Sequence, residues 1–327
     1  MSSEQTRTPD FDRAKEVAGR MRAEIEKAMV GQADVIDQVL ITLVAGGHAL
    51  LEGVPGLGKT LLARALAASF AGSTARVQFT PDLMPADLVG HLLYDAASSE
   101  MRLRRGPVFT HLLLADEINR APAKTQAALL EVMQERQVTI EGESLPVPAP
   151  FTTLATQNPI EMEGTYPLPE AQLDRFLLKI RIDYPSEDEE ISLIRHVTEG
   201  RVGNTLPVDE VRAVASPEDV IALQSAASDV RVDERVREYA VRIARATRDR
   251  PDVSVGAGPR GAIALIRAGR AAALLGGRHF TIPDDVKAVA LPALRHRILL
   301  APETELEGGT QDSLVAAVLA EVEAPRE

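Results

Sequence analysis

The segment Gly53-Val-Pro-Gly-Leu-Gly-Lys-Thr60 matches the pattern G-x-x-x-x-G-K-[ST] at every fixed position. Glycines in this pattern let successive backbone N–H groups point at phosphate oxygens, the lysine reaches the β- and γ-phosphates, and the hydroxyl ligates Mg²⁺. The apolar run before the segment predicts a strand, and Leu61–Ser69 predicts a helix whose positive end faces the anion. Without this context, the segment could be a glycine-rich turn beside an unrelated lysine. With it, the pattern predicts a strand–loop–helix unit that binds a nucleoside triphosphate.

The ligand predicted from this pattern is ATP with Mg²⁺. We expect the nucleotide to contact the loop and the start of its helix, at Pro55, Gly56, Leu57, Gly58, Lys59, Thr60 and Leu61. The hydroxyl of Thr60 is also the expected protein ligand of the metal from this segment.

A second element follows the apolar run Leu112-Leu-Leu-Ala, which ends in the adjacent carboxylates Asp116 and Glu117. A carboxylate at the end of the strand beside the phosphate loop can hold Mg²⁺, and Asp116 has this position. Glu117 can orient and polarise a water molecule for attack on the γ-phosphorus, which predicts hydrolysis. The alternative is that these acids only cap the helix beginning near Pro122.

A third element is Thr156-Gln-Asn158-Pro159, which follows another apolar run. A neutral polar side chain at this position can help Glu117 to position the attacking water, so Asn158 is a further candidate for catalysis. Taken alone, Asn-Pro is only a turn signal.

Short apolar runs alternate with helical patterns from about Asp12 to Pro185, which predicts an α/β core of parallel strands joined by crossover helices. In the helix predicted over Pro122–Glu135, three apolar residues share one face. Beyond Pro185 the pattern is almost purely helical, with a capped helix start at Ser216-Pro-Glu-Asp219. The predicted strands are Ala49–Gly53, Arg76–Thr80, Leu112–Asp116, Thr152–Thr156 and Leu177–Asp183, and the predicted later helices are Asp233–Asp249, Gly261–Leu275 and Pro283–Ala290.

Composition narrows the class of protein. The chain of 327 residues carries 48 acidic and 36 basic residues, a formal net charge of −12, which disfavours nucleic acid as a partner. The absence of cysteine excludes disulfides and a cysteine nucleophile. No apolar run reaches the roughly 18–20 residues of a membrane span, and the N-terminus lacks the pattern of a secretory signal. We therefore expect a cytoplasmic protein without membrane insertion.

Together these motifs resemble the AAA+ ATPases, and more closely their MoxR family. The resemblance extends from about Val30 to about Arg297. The segments that carry it are Glu52–Thr60, Phe79-Thr-Pro-Asp-Leu83, Leu114-Ala-Asp-Glu-Ile-Asn-Arg-Ala-Pro-Ala-Lys124, Glu131-Val-Met-Gln-Glu-Arg136, Ala155-Thr-Gln-Asn-Pro159 and Pro169-Glu-Ala-Gln-Leu-Asp-Arg-Phe176.

The resemblance implies further site residues. Val30 and Gly31 lie where the family places its adenine pocket, and Asn158 matches sensor 1. Arg260, in Gly258-Pro-Arg260, matches sensor 2, an arginine on the lid that contacts the γ-phosphate of its own subunit. Arg175 matches the arginine finger, which reaches into a neighbouring subunit's site. From the sequence alone, Arg175 could instead form a surface ion pair, and Arg120 could either face a neighbour or be a solvated charge.

The resemblance also implies a domain plan. It comprises a flexible N-terminus over residues 1–11, a P-loop AAA+ core with a parallel five-stranded sheet over 12–185, and a smaller all-helical lid over 186–327. The core is expected to contain a helix-2 insert at about 85–107 and a hairpin at about 136–148. The hairpin tip, Glu141-Gly142-Glu143, is acidic and would repel nucleic-acid phosphates. The basic cluster Arg102, Arg104 and Arg105 instead favours a nucleic-acid partner, unless the cluster is an exposed strand face or a subunit contact.

The function implied is that of a chaperone-like ATPase. Subunits would form a homo-oligomeric ring, expected from the resemblance to be a hexamer, which remodels a protein client. A partner with a von Willebrand factor A domain is expected from the resemblance alone. Two alternatives remain open at this stage: a nucleic-acid-stimulated motor or loader of the same superfamily, and an ATP-binding scaffold with little turnover.

Overall fold

A computed structural model describes residues 10–54, 56–95, 99–158, 165–198 and 207–325 of the chain. A parallel five-stranded sheet with the order β2-β5-β8-β1-β9 forms its centre. The strands of this core region are β1 (Ala49–Glu52), β2 (Thr74–Gln78), β3 (Gly90–Asp95), β4 (Glu100–Arg105), β5 (Leu112–Asp116), β6 (Gln137–Ile140), β7 (Glu143–Pro146), β8 (Thr152–Gln157) and β9 (Leu178–Arg181).

Helices cover both faces of the sheet. The helices that precede the lid are α1 (Phe11–Ala28), α2 (Ala33–Val44), α3 (Lys59–Ser69), α4 (Pro85–Val89), α5 (Ala123–Glu135) and α6 (Glu170–Leu173). Alternate residues of β5 enter two different hydrophobic clusters: Leu112 and Leu114 face α1–α3, whereas Leu113 and Ala115 face α4 and α5. Burial on both faces is the physical reason why the central strands are continuously apolar.

All five predicted core strands are present, with shifted ends. β5 has the predicted bounds, whereas β2 begins and ends two residues earlier than expected and β9 is shorter at both ends. Helix α5 begins at Ala123 because Pro122 has an extended backbone (ψ 152°) and lies at the cap position. As predicted, Leu129, Leu130 and Met133 of this helix are buried.

Two antiparallel hairpins occupy the places expected for the insertions. β3 and β4 form the first, in which Arg102 pairs with Asp95 at 3.1 Å and the guanidinium of Arg105 lies over the ring of Phe109. Arg102 and Arg104 are exposed on the strand, so within one chain the basic cluster is an exposed strand face. β6 and β7 form the second hairpin, which turns at Glu141 and Gly142 with positive φ at both residues.

The region beyond Pro185 consists mainly of helices. They are α7 (Glu187–Thr198), α8 (Pro217–Asp229), α9 (Glu234–Ala246), α10 (Pro259–Leu275), α11 (Pro283–Leu294), α12 (Pro302–Leu306) and α13 (Gln311–Glu321). Ser216 caps α8 and, with Asp219, forms a capping box, as the sequence predicts. Four short strands that the sequence analysis missed lie between the helices as two pairs, β10 (Arg231–Val232) with β12 (Phe280–Thr281) and β11 (Val253–Val255) with β13 (Leu299–Leu300).

The lid and one face of the core share a single hydrophobic cluster. Buried side chains of α10 and α11 belong to the same cluster as those of α1, α2 and α3. The N-terminal segment predicted to be flexible spans residues 1–11. Within it, Phe11 begins helix α1 and Asp10 caps that helix. Other predictions fall on residues outside the described part of the chain, namely residues 1–9, Pro55, Pro159 and residues 326–327. In the part of the chain that the structure describes, no helix is long and apolar enough to cross a membrane.

The first hairpin depends on the close approach of two backbone segments at its base. A Cβ on Gly106 would lie 2.1 Å from the carbonyl oxygen of Leu88 and 2.6 Å from the backbone nitrogen of Gly90. We expect Gly106→Ala to lower the free energy of unfolding by about 1–3 kcal/mol, because backbone atoms cannot move aside as a flexible side chain can. Urea unfolding followed by circular dichroism measures the change.

The matched control is Gly19→Ala. Gly19 is exposed within α1, and apart from its chain neighbours and the backbone of its own helix no atom lies within 4 Å of a Cβ added there. This variant should raise stability by about 0.5–1 kcal/mol, because alanine has the higher helix propensity. Equal stability of the two variants would contradict the proposed packing at Gly106.

Candidate active site

The phosphate loop leaves the carboxyl end of β1 and enters α3. Gly56 and Gly58 have φ angles of 90° and 79°, a region that glycine adopts without a Cβ clash. A Cβ on Gly53 would lie 2.6 Å from the carbonyl oxygen of Ile182, so the start of the loop also requires glycine. The backbone N–H groups at the first turn of α3 are therefore directed toward the loop, the arrangement that binds phosphate.

Lys59 and Thr60 form the first turn of α3. The Nζ of Lys59 donates to the carbonyl oxygen of Gly53 at 2.5 Å, so the side chain folds back over the loop. Burial lowers the pKa of Lys59, and the charges of Asp116, Glu117 and Glu52 oppose this shift. A lysine in this position, folded over the phosphate loop, is suited to binding a phosphate oxygen.

Asp116 lies at the carboxyl end of β5, as expected. Its Oδ1 accepts from the hydroxyl of Thr156 at 2.5 Å, and its Oδ2 accepts from Arg76 Nη2 at 2.6 Å. The side chain is only 15% exposed. These contacts fix the carboxylate at the edge of the sheet where β1 also ends.

Glu117 leaves the sheet in a left-handed backbone conformation, with φ 55°. Its N–H donates to Thr156 Oγ1 at 2.9 Å, and its Oε2 accepts from Gln78 Nε2 at 2.7 Å and from Arg120 Nη1 at 2.9 Å. The two acids therefore do more than cap a helix. Within one chain, Arg120 binds Glu117 and is not a free solvated charge.

Sequence analysis missed Arg76, Gln78 and Thr156 as partners of the two acids. Gln78 lies beside Asp116 in the register of β2 and β5, and Thr156 is the second-to-last residue of the neighbouring strand β8. No local motif marks these residues, because their role depends on which strands are neighbours. Asn158 follows β8 and is buried at this same edge.

The donor set at this edge is suited to Mg²⁺. The side chains that could hold the ion are the hydroxyl of Thr60 and the carboxylate of Asp116, both oxygen donors. Mg²⁺ prefers oxygen ligands and is often held by one or two protein groups together with substrate phosphates. These two residues fit that pattern.

The predicted adenine pocket lies between the end of α1 and the start of α7. Gly31 and Gln32 both have positive φ, and a Cβ on Gly31 would lie 2.6 Å from Glu189 Oε1. Glu189 also accepts from the N–H and hydroxyl of Ser186, each at 2.9 Å, and these contacts lower its pKa. A cavity of about 440 Å³ adjoins this turn and includes Gln32, Tyr184 and Glu189 in its lining. Val30 is half-buried beside it.

Arg175 lies at the opposite edge of the sheet. It is exposed, and it precedes β9, whose Leu178 pairs in parallel with Ala49 at the start of β1. The phosphate loop follows the end of β1, and a strand rises about 3.3 Å per residue, so at least roughly 10 Å separates the two edges. Arg175 is therefore on the wrong side of the sheet to reach Lys59 of its own chain.

Arg260 lies with Arg175 and not with the phosphate loop. Its Nη1 is 3.5 Å from Asp174 Oδ2, and a cavity of about 370 Å³ is lined by Arg175, Arg260 and Gly47, among others. The expected contact of Arg260 with the γ-phosphate of its own subunit is not made in this arrangement. The physical reason is that α10, which carries Arg260, packs near the amino-terminal edge of the sheet.

Comparisons with known proteins agree with this architecture. The profile described as the ATPase family associated with various cellular activities (AAA) matches residues 48–178, and that of the AAA lid domain matches residues 245–318. A structure of a candidate ATPase from Cytophaga hutchinsonii superposes with a TM-score of 0.89 and 39% identity, covering 97% of each chain.

Curated relatives cover nearly the whole chain. It is 45% identical over 307 residues to protein YeaC of Bacillus subtilis, with 94% of both chains covered. It is 43% identical over 313 residues to a protein named Chaperone MoxR1 of Mycobacterium tuberculosis, covering 93% of this chain and 81% of that one. Protein MoxR of Methylorubrum extorquens is 33% identical over 340 residues, with 95% and 96% covered. The chain belongs to the MoxR family of AAA+ ATPases.

Proposed function

We propose that this protein hydrolyses ATP with Mg²⁺ at the subunit interfaces of a homo-oligomeric ring and uses the energy to remodel protein complexes. One observation carries the proposal. The phosphate loop and Arg175 lie at opposite edges of one sheet, so Arg175 can reach phosphates only in the site of a head-to-tail neighbour. A hexamer is the ring size we propose, because it is the size that the family resemblance implies.

The residues of one chain supply the following roles. Lys59 exchanges its bond to the Gly53 carbonyl for the β- and γ-phosphate oxygens of ATP. Thr60 and Asp116 hold Mg²⁺, which neutralises phosphate charge when it is bound. Glu117 accepts a proton from the attacking water, and the buried Asn158 orients that water.

The neighbouring chain supplies the positive charge at the γ-phosphate. Arg175 is exposed and adjoins Arg260, so both arginines can be presented together to the site of the next subunit. An arginine supplied in trans can raise the rate by about 10³–10⁵. Arg260 is therefore proposed to act on the neighbour and not on its own subunit.

The substrate we propose is a protein. Two acids flank the turn of the β6–β7 hairpin, where an exposed negative tip would repel nucleic-acid phosphates. A relative with 43% identity carries the name chaperone. A partner with a von Willebrand factor A domain is proposed on the family resemblance, and cytoplasmic location is proposed with it.

The first test is Glu117→Gln, which keeps the size of the side chain and one acceptor oxygen but removes the base. We expect ATP hydrolysis to fall by about 10²–10⁴-fold while ATP binding is retained. A coupled phosphate-release assay and calorimetric titration with ATP measure the two properties. Glu303→Gln, an exposed acid of α12, is the control and should behave as the wild type. Unchanged turnover in Glu117→Gln would remove this residue from the mechanism.

The second test mixes two inactive variants. Arg175→Ala keeps the phosphate loop but lacks the arginine, whereas Lys59→Ala keeps the arginine but has a damaged loop. Each alone should lose about 10³-fold or more of the turnover. Mixed rings should regain part of it, because Lys59→Ala subunits present Arg175 to intact loops.

Further outcomes of these assays distinguish the candidate functions. Absence of any rescue in rings that contain both variants would contradict the role of Arg175 in trans. Arg260→Ala mixed with Lys59→Ala should show the same rescue as Arg175→Ala. Stimulation of the wild type by DNA or RNA would favour a nucleic-acid motor, and ATP-dependent assembly without turnover would favour a scaffold.

A further inference from the structure

Arg297 lies after the last turn of α11 in the lid, yet its guanidinium binds the segment that surrounds Arg175. Only 4% of its side chain is exposed. Its Nε donates to Asp174 Oδ1 at 2.7 Å, and its Nη2 donates to the carbonyl oxygens of Phe176 at 2.7 Å and Asp174 at 3.3 Å. Its Nη1 donates to the carbonyl oxygen of Leu177 at 3.2 Å. One lid side chain therefore contacts the residues on both sides of Arg175.

The segment 174–177 has little regular structure of its own. It connects the short helix α6 to β9 and lies outside both elements. Asp174 is bound by two lid arginines, because Arg260 Nη1 lies 3.5 Å from its second oxygen. The lid thus supplies side-chain partners for Asp174, while the backbone N–H of Arg175 is held by the core through the carbonyl oxygen of Gln172 at 3.2 Å.

A buried guanidinium needs such partners. Burial lowers the pKa of Arg297, and the carboxylate of Asp174 opposes that shift. The planar fork of arginine has five donors at fixed directions, which allows one side chain to hold several oxygens at once. A lysine at this position would keep the charge but could not hold the same set of oxygens.

A purely structural role, in which Arg297 only attaches the lid to the core, is the simpler alternative. Other lid arginines already have that role without contacting the segment around Arg175. Arg295 donates to the carbonyl oxygen of Lys179 at 3.3 Å and lies 2.9 Å from Asp312, and Arg267 donates to the carbonyl oxygen of Ala45 at 2.8 Å. The contacts of Arg297 differ from these because they are concentrated on the residues that flank Arg175.

We propose that Arg297 is a positioning residue for Arg175, so that each lid holds in place the arginine which its own subunit presents to the neighbour. This inference rests on the proposed function of Arg175 in trans. Its consequence is directional: loss of Arg297 impairs the site of the next subunit and leaves the site of its own chain intact. A movement of the lid would then alter turnover in the neighbour through Asp174 and Arg175.

The test uses mixed rings in which only one kind of subunit donates the arginine. In the first arrangement, Lys59→Ala/Arg297→Lys subunits are mixed with Arg175→Ala subunits, so every rescued site receives its arginine from a chain that lacks Arg297. In the second, Lys59→Ala subunits are mixed with Arg175→Ala/Arg297→Lys subunits. We expect rescue of ATP hydrolysis to fall about 10- to 100-fold in the first arrangement and to be unchanged in the second.

The control variant is Arg295→Lys, a neighbouring lid arginine of comparable burial, which should leave rescue unchanged in both arrangements. Equal loss in the two arrangements, or none in the first, would overturn the positioning role of Arg297. Absence of rescue in the parent mixture of Lys59→Ala with Arg175→Ala would instead refute the proposed function. If Arg297→Lys fails to fold by circular dichroism, Asp174→Asn takes its place in both arrangements, with the same directional outcome expected and the same result overturning it.

Discussion

The direction of the strands in one buried parallel sheet determines where each functional group lies. All five strands run the same way, so the phosphate loop, Asp116 and Asn158 emerge at one edge. Segments that precede a strand, such as the one containing Arg175, emerge at the other edge. Because both faces of the sheet are covered by helices, these two edges stay at a fixed separation. In the proposed ring, Arg175 would therefore complete the site of a second chain.

Charge is balanced separately at each edge. At the phosphate-loop edge, Asp116 and Glu117 are each bound by an arginine of the same chain, Arg76 and Arg120. The negative charge of each acid is therefore balanced by an arginine even without a metal. Mg²⁺ at the proposed site would take the place of the Arg76 guanidinium as the cation beside Asp116. At the opposite edge, arginines outnumber acids around Asp174. That excess of positive charge is suited to receiving the phosphates of a neighbour.

The lid is joined to the core by two kinds of interaction. A hydrophobic cluster that continues from α3 into α10 and α11 supplies non-directional burial. Arginines of the lid then bind specific backbone carbonyl groups of the core, and Arg297 does so around the segment that carries Arg175. Directional bonds of this kind determine position more closely than apolar packing does. In the proposed ring, the lid would thus contribute to the geometry of the neighbouring subunit's site.

Local patterns in the sequence were sufficient to predict the strand–loop–helix unit at Gly53–Thr60, the two acids at the end of β5 and after it, and the division into an α/β core and a helical lid. The patterns were glycines suited to positive φ, apolar runs buried on both faces and capped helix starts. Which residues surround the two acids depends on the packing of the whole chain, since Arg76, Gln78 and Thr156 approach them through strand pairing. The tertiary structure also placed Arg260 beside Asp174 and brought Arg297 to the Arg175 segment, more than 120 residues away in the chain. Contacts of that range are set by how the lid packs on the sheet, and no local pattern in the sequence specifies that packing.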